Sequence, residues 1–163
     1  MKTLYVLRHA KSSWENQNQT DFERPLNERG LQTAPRIGKL MRAQKFIPDL
    51  IVSSPAARAR ITAEMVRDAA SFRAEIQFDE RIYEAAIKNL FEVLGRISNN
   101  AGSLLLVGHN PGLENLVERL TGEFRLMPTA ALAVIELNIE EWSEIDYNSG
   151  RLCKFIVPKE IAD

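Results

Sequence analysis

The sequence is poor in the residues that most metal and redox sites need. Its 163 residues hold two histidines, His9 and His109, and one cysteine, Cys153. Two histidines exclude a metal site built on several of them. One cysteine excludes an internal disulfide, a zinc finger, an iron–sulfur cluster and thioredoxin-type chemistry. Cys153 sits in Leu152-Cys153-Lys154-Phe155-Ile156-Val157, which reads as a strand, so a buried or half-buried packing role is expected. Charge of one sign is also lacking: 21 Lys plus Arg against 22 Asp plus Glu give a net charge of −1. That balance offers no global attraction to nucleic acid or to an anionic membrane. The opening apolar run, Leu4 to Leu7, ends at Arg8 and is too short for a signal-peptide core or a membrane span. A soluble, cytoplasmic protein is expected.

What is present is ordinary globular material, 45% hydrophobic and 26% charged, in a length that suits one domain over 1–163. Short apolar runs alternate with helical spacing. Leu4–Leu7, Leu50–Val52, Ile76–Phe78 and Leu104–Val107 read as strands. Helical patterns cover Asn27–Gln44, Pro55–Ala70, Asn89–Ser98 and Pro111–Leu120, with Pro35 expected to kink or split the first. Leu132–Leu137 and Leu152–Val157, with the turn signal Asn148-Ser149-Gly150 before the second, suggest a terminal antiparallel pair. The pattern implies an α/β fold, a three-layer α/β/α sandwich with a mostly parallel central sheet.

In such sheets ligands collect beyond the carboxyl ends of the strands. Arg8-His9 follows the first run, and Ser53-Ser54-Pro55 with Arg58 follows the second. Gly108-His109-Asn110-Pro111 follows Leu104–Val107. Both histidines and two arginines therefore gather on one sheet edge. Ser54 and Asn110 are favoured helix caps, each with a proline next in line. Helix amino termini attract anions, and arginine forks match phosphate oxygens. The edge reads as a phosphoryl site. It has no Gly-rich P-loop and no serine elbow, so any nucleophile there is histidine. Arg60 is a rival to Arg58 but falls on another helix face. Trp14, among polar neighbours, is expected at the pocket mouth; Lys11, Ser12 and Asn110 are further rim residues.

Leu7-Arg8-His9-Ala10-Lys11, Ser53-Ser54-Pro55-Ala56-Ala57-Arg58-Ala59, Ile61-Thr62-Ala63-Glu64 and Val107-Gly108-His109-Asn110-Pro111-Gly112 resemble, in order, the motifs of the histidine phosphatase superfamily. That superfamily includes the phosphoglycerate mutases. The short length and the Arg-Pro-Leu-Asn-Glu-Arg-Gly segment from Arg24 look most like its SixA-type phosphohistidine phosphatases. The resemblance implies a phosphoglycerate mutase-like fold without metal or organic cofactor. It implies His9 as nucleophile, and Arg8, Arg58 and His109 as phosphate-binding groups. Glu84, in Arg81-Ile82-Tyr83-Glu84, is the first choice for the acid that protonates the leaving group, and Asp21 the second. The implied partner is a phosphohistidine-bearing protein, the alternative a small phosphomonoester, and a monomer is expected. A catalytically silent phosphate- or phosphohistidine-binding module is the non-enzyme alternative. The sequence departs from the superfamily pattern at Ala10, where glycine is usual, at Ile61, where glutamine is usual, and at Glu15, where asparagine is common. It also lacks the long insertions that build the mutase lid.

Overall fold

A computed structural model describes residues 1–160; the last three positions of the expected 1–163 unit lie outside the described residues. Six strands form one sheet: β1 (Lys2–Arg8), β2 (Leu50–Ser53), β3 (Glu75–Phe78), β4 (Ser103–Gly108), β5 (Leu132–Leu137) and β6 (Gly150–Ile156). Their order across the sheet is β3-β2-β4-β1-β5-β6. Pairing is parallel from β3 through β1 and antiparallel on both sides of β5. Helices α1 (Glu28–Ala43), α2 (Ala57–Ala70), α3 (Ile87–Gly95) and α4 (Gly112–Thr121) cover its two faces.

The strand period of two explains the layers. In β1, Leu4 and Val6 point to one face, where they meet Leu90, Leu94, Leu116, Val117 and Trp142. Tyr5 and Leu7 point to the other, against Ile37, Met41, Ala63 and Val66. β4 divides the same way, with Leu104 and Leu106 on the first face and Leu105 and Val107 on the second. Both faces are buried, so these strands read as unbroken apolar runs. Trp142 is fully buried and satisfies its indole by donating from Nε1 to the Ala101 carbonyl at 2.8 Å.

Several expectations change. α1 runs unbroken through Pro35. The carbonyl that Pro35 cannot serve belongs to Leu31, a residue 46% exposed, so water can satisfy it. Cys153 is exposed. The β5–β6 register shifts between Val134 (opposite Lys154) and Ile135 (opposite Leu152), leaving Cys153 as the unpaired bulge residue of an edge strand. Ser54 and Asn110 are not helix caps. The capping positions are Ala56 and Pro111, and neither start is capped by a side chain. Ser54 and Asn110 instead use their side chains in the site described next. Among the described residues no helix is long and apolar enough to cross a membrane.

Candidate active site

Register places the site. Arg8 lies opposite Gly108 and Ser53 opposite Val107, so β1, β4 and β2 end side by side with β4 in the middle. The His9 amide donates to the Gly108 carbonyl at 3.1 Å and the Ser54 amide to the Val107 carbonyl at 3.0 Å, which carries the alignment past the strand ends. A cleft of about 210 Å³ opens there, lined by Arg8, His9, Lys11, Ser12, Trp14, Arg24, Arg58, His109, Asn110 and Thr129. Seven of these are site or rim residues expected from the sequence, together with Asn110; Arg24 and Thr129 are additions.

The two imidazoles face each other with ring centroids 5.2 Å apart. His9 is buried, and its Nδ1 lies 2.7 Å from the Ala10 carbonyl oxygen. A carbonyl can only accept, so Nδ1 carries the hydrogen and Nε2 of the neutral ring holds the lone pair. Burial lowers the His9 pKa to about 4; the Ala10 carbonyl opposes this, and Arg58, Arg8 and Arg24 add to it. Burial, with His9 and Arg58 adding, lowers His109 to about 3, against the pull of Asp21. His109 Nε2 meets the Ser54 hydroxyl at 2.8 Å, and that oxygen also accepts from the Ala56 amide at 3.2 Å. The loop before α2 therefore orients the second imidazole.

The guanidiniums are held from behind. Arg8 donates through Nη1 to the Met127 carbonyl at 2.9 Å, which also accepts from Asn110 Nδ2 at 2.8 Å. Glu114 fixes that loop by accepting the Met127 amide at 2.8 Å. Burial lowers the Arg8 pKa, Glu114 opposing and Arg58 assisting. Arg58 donates to the Asp21 carbonyl at 2.7 Å and to its carboxylate at 3.0 Å. Thr62 links this helix to the nucleophile loop, donating to the Arg58 carbonyl at 2.7 Å and accepting the Ala10 amide at 3.0 Å. Among the described residues, the buried side-chain nitrogens and oxygens left without a hydrogen-bond partner are Arg8 Nε, Arg58 Nε, His109 Nδ1 and Asn110 Oδ1. All four belong to residues lining this cleft. Buried polar groups are rarely orphaned, and a cluster of them marks a place prepared for a ligand.

The two carboxylic acids suggested by the sequence occupy different places. Asp21 sits in a short 3-10 turn and receives Tyr83 Oη at 2.6 Å, Arg58 at 3.0 Å and Arg24 at 3.2 Å. The Tyr83 bond and both guanidiniums lower its pKa to about 2 despite partial burial. Glu84 is exposed, with a left-handed backbone at φ 52°, and is not among the cleft-lining residues. Tyr83, Glu84's neighbour, carries the contacts instead: its ring lies edge-on to His109 at 5.5 Å and its hydroxyl reaches Asp21. Trp14 lines the cleft while 73% exposed. The Arg24 guanidinium lies 3.5 Å from the centre of its ring.

Arg24, Thr62, Tyr83 and Thr129 had no site role in the sequence reading, and Ser54 was expected there only as a helix cap. Arg24, Ser54, Thr62 and Tyr83 stood inside quoted segments, which was the available signal. Arg24 donates to Ser12 Oγ at 2.8 Å and to the Ser13 carbonyl at 3.1 Å, tying down the loop after His9. Thr129 lies outside every quoted segment, and no spacing rule points to it.

Residues 4–93 match the histidine phosphatase superfamily (branch 1), and the chain belongs to that superfamily. Among its relatives, a Mycobacterium tuberculosis protein described as uncharacterized is 30% identical over 94% of this chain and 100% of its own length. Among solved structures, a candidate phosphohistidine phosphatase SixA from Agrobacterium tumefaciens is 32% identical, with a TM-score of 0.83 covering 96% of this chain and 98% of that one. A protein histidine phosphatase SixA complexed with tungstate shares the fold at a TM-score of 0.83 and 22% identity, over 96% of this chain and 97% of that one. The class is thus a phosphatase with a phosphoglycerate mutase-like α/β fold.

Proposed function

We propose that the protein hydrolyses phosphohistidine on a partner protein, with His9 as nucleophile. Neutral His9 attacks phosphorus through the Nε2 lone pair, a P–N bond forms to His9 and the P–N bond to the substrate imidazole breaks. The departing imidazole keeps the electron pair of that bond together with its own ring proton. Water then attacks the phosphorus on His9, releasing phosphate and restoring the free ring. Arg8, Arg58 and His109 supply donors to the phosphoryl oxygens as their charge redistributes.

The observation that carries the substrate class is Asp21. Its carboxylate bonds two of the arginines lining the cleft, and it is held ionised by Tyr83, Arg58 and Arg24 at a pKa of about 2. An ionised carboxylate has no proton to give, so it cannot assist the alkoxide leaving group of a phosphate ester at neutral pH. A phosphorylated imidazole has no such need, because its ring can be protonated from water before the bond breaks. Asp21 then serves to position Arg58 rather than to act as acid. The cleft, about 210 Å³, has room for a phosphoryl group and one ring. The exposed Trp14 at the mouth suits the approach of a protein surface.

The test compares kcat/KM for a phosphohistidine peptide and the matching phosphoserine peptide at neutral pH. The expected preference for the P–N bond is on the order of 10² or more, the rate share usually supplied by a positioned acid. Equal or better turnover of phosphoserine would replace the proposal with a phosphomonoesterase. Binding of both without turnover would replace it with a silent binding module.

A further inference from the structure

A second cavity, about 250 Å³ in volume, adjoins the catalytic cleft and is lined by Lys11, Arg29, Thr33, Pro128, Thr129, Val157, Pro158 and Lys159. Lys11 and Thr129 line both spaces, so the two form one continuous surface. Among the described residues, three cations and two hydroxyls line the second cavity and no carboxylate does. Among the described residues, Lys11, Arg29 and Lys159 form no ion pair. In a chain whose net charge is −1, this is a local excess of positive charge without an ion-pair partner among the described residues.

The wall of this cavity is rigid. The Asn27 amide donates to the Lys11 carbonyl at 3.0 Å. Gly30 packs so closely that a Cβ there would lie 2.2 Å from the same oxygen. The start of α1, which carries Arg29 and Thr33, is therefore seated on the residue two positions after the nucleophile. The opposite wall, Pro128 and Thr129, adjoins Met127, whose carbonyl holds Arg8 and Asn110. This packing fixes where the backbone of Lys11 and Arg29 stands relative to His9.

We infer that this cavity is a second anion subsite, which takes a carboxylate side chain flanking the phosphohistidine on the substrate protein. The inference rests on the phosphohistidine reading above and deepens it. The phosphoryl group pairs with the cations of the catalytic cleft, and the flanking carboxylate pairs with Arg29 and Lys159, with Lys11 lining both spaces. Complementary charge of this kind selects partners and speeds their encounter.

Arg29 and Lys159 line only the second cavity, so the double variant R29S/K159S isolates it. Two phosphohistidine peptides serve as substrates, one with Asp and Glu beside the phosphohistidine and one with Asn and Gln there. Phosphoramidate reports on the cleft alone. The wild-type protein should favour the acidic peptide in kcat/KM by about fivefold, the scale of one or two exposed ion pairs. The double variant should lose that preference and keep its phosphoramidate turnover. Equal rates on the two peptides in the wild-type protein, or a preference that survives the double variant, would overturn the subsite.

Binding of the two peptides carrying a non-hydrolysable phosphonate mimic, followed by calorimetry, reads the subsite even if turnover is absent. An acidic preference lost in R29S/K159S supports the subsite there too, and no preference overturns it. A small phosphate ester that also bears a carboxylate, compared with the matching carboxamide, distinguishes the sources. A preference lost in the double variant for such esters but absent for peptides would overturn the protein-borne carboxylate.

Discussion

Lowering the pH from 7 to 5 should cost the folded protein stability through its two histidines. In the fold His9 has a pKa of about 4 and His109 of about 3; in the unfolded chain both return to about 6.5. At pH 5 the unfolded chain binds a proton on each ring and the folded protein on neither. Both pKa values are depressed by folding, so the penalty is absent above pH 6.5 and grows as the pH falls through that value. It levels off only below the folded pKa. Linkage gives roughly 2 kcal/mol per histidine at pH 5, about 4 kcal/mol for the pair. Asp21 does not interfere: its folded pKa of about 2 lies below its unfolded value, so its stabilising share is kept from pH 7 to 5 and lost only toward pH 2. Urea denaturation at the two pH values measures the total, and His9→Asn should remove about half of the pH-dependent loss. Ring-resolved NMR checks the cause, since two histidines give two assignable signals. With a pKa of about 4, His9 stays about 97% neutral at pH 5.5, against about 9% for an unperturbed ring. A stability loss below about 1 kcal/mol, or either ring titrating near pH 6.5, would refute the reasoning.

Other substitutions test separate parts of the site. Arg58→Ala should lower kcat/KM on phosphohistidine by about 10²–10³, measured by phosphate release, because it removes a donor aimed at developing charge. Asp21→Asn should lower the same quantity by less than about tenfold, well short of the ~10²–10⁴ expected on loss of a general acid. Gly30→Ala places a methyl against the Lys11 carbonyl and should cost about 1–3 kcal/mol in urea denaturation, with activity falling as the loop after His9 shifts.

The parts of this molecule that could be read from sequence are those governed by local rules. Leu104–Val107 is apolar throughout because β4 is buried on both faces, and such a run shows in one dimension. The residues following β1, β2 and β4 could be assigned to one edge because parallel strands end together. Helix starts were less legible. Ser54 has the chemistry of a cap, but its hydroxyl is engaged by His109 and the Ala56 amide, a competition visible only in three dimensions. Cys153 is expected inside and found outside because a bulge leaves no mark in the largely apolar run Leu152–Val157. The carboxylates show the same limit: Asp21 meets Tyr83 across 62 positions, and no local pattern distinguishes it from Glu84. Arg29 and Lys159 are ordinary surface cations in sequence, and only folding brings them to one cavity with Lys11.

The central claim is that His9 carries the phosphoryl group taken from phosphohistidine. Rapid quenching of the protein with a ³²P-phosphohistidine peptide, followed by peptide mapping under alkaline conditions, tests it most directly. The account predicts an acid-labile, base-stable label on the His9 imidazole, with both label and phosphate release abolished in His9→Ala. Label on any other residue, or phosphate release that survives His9→Ala, would contradict it.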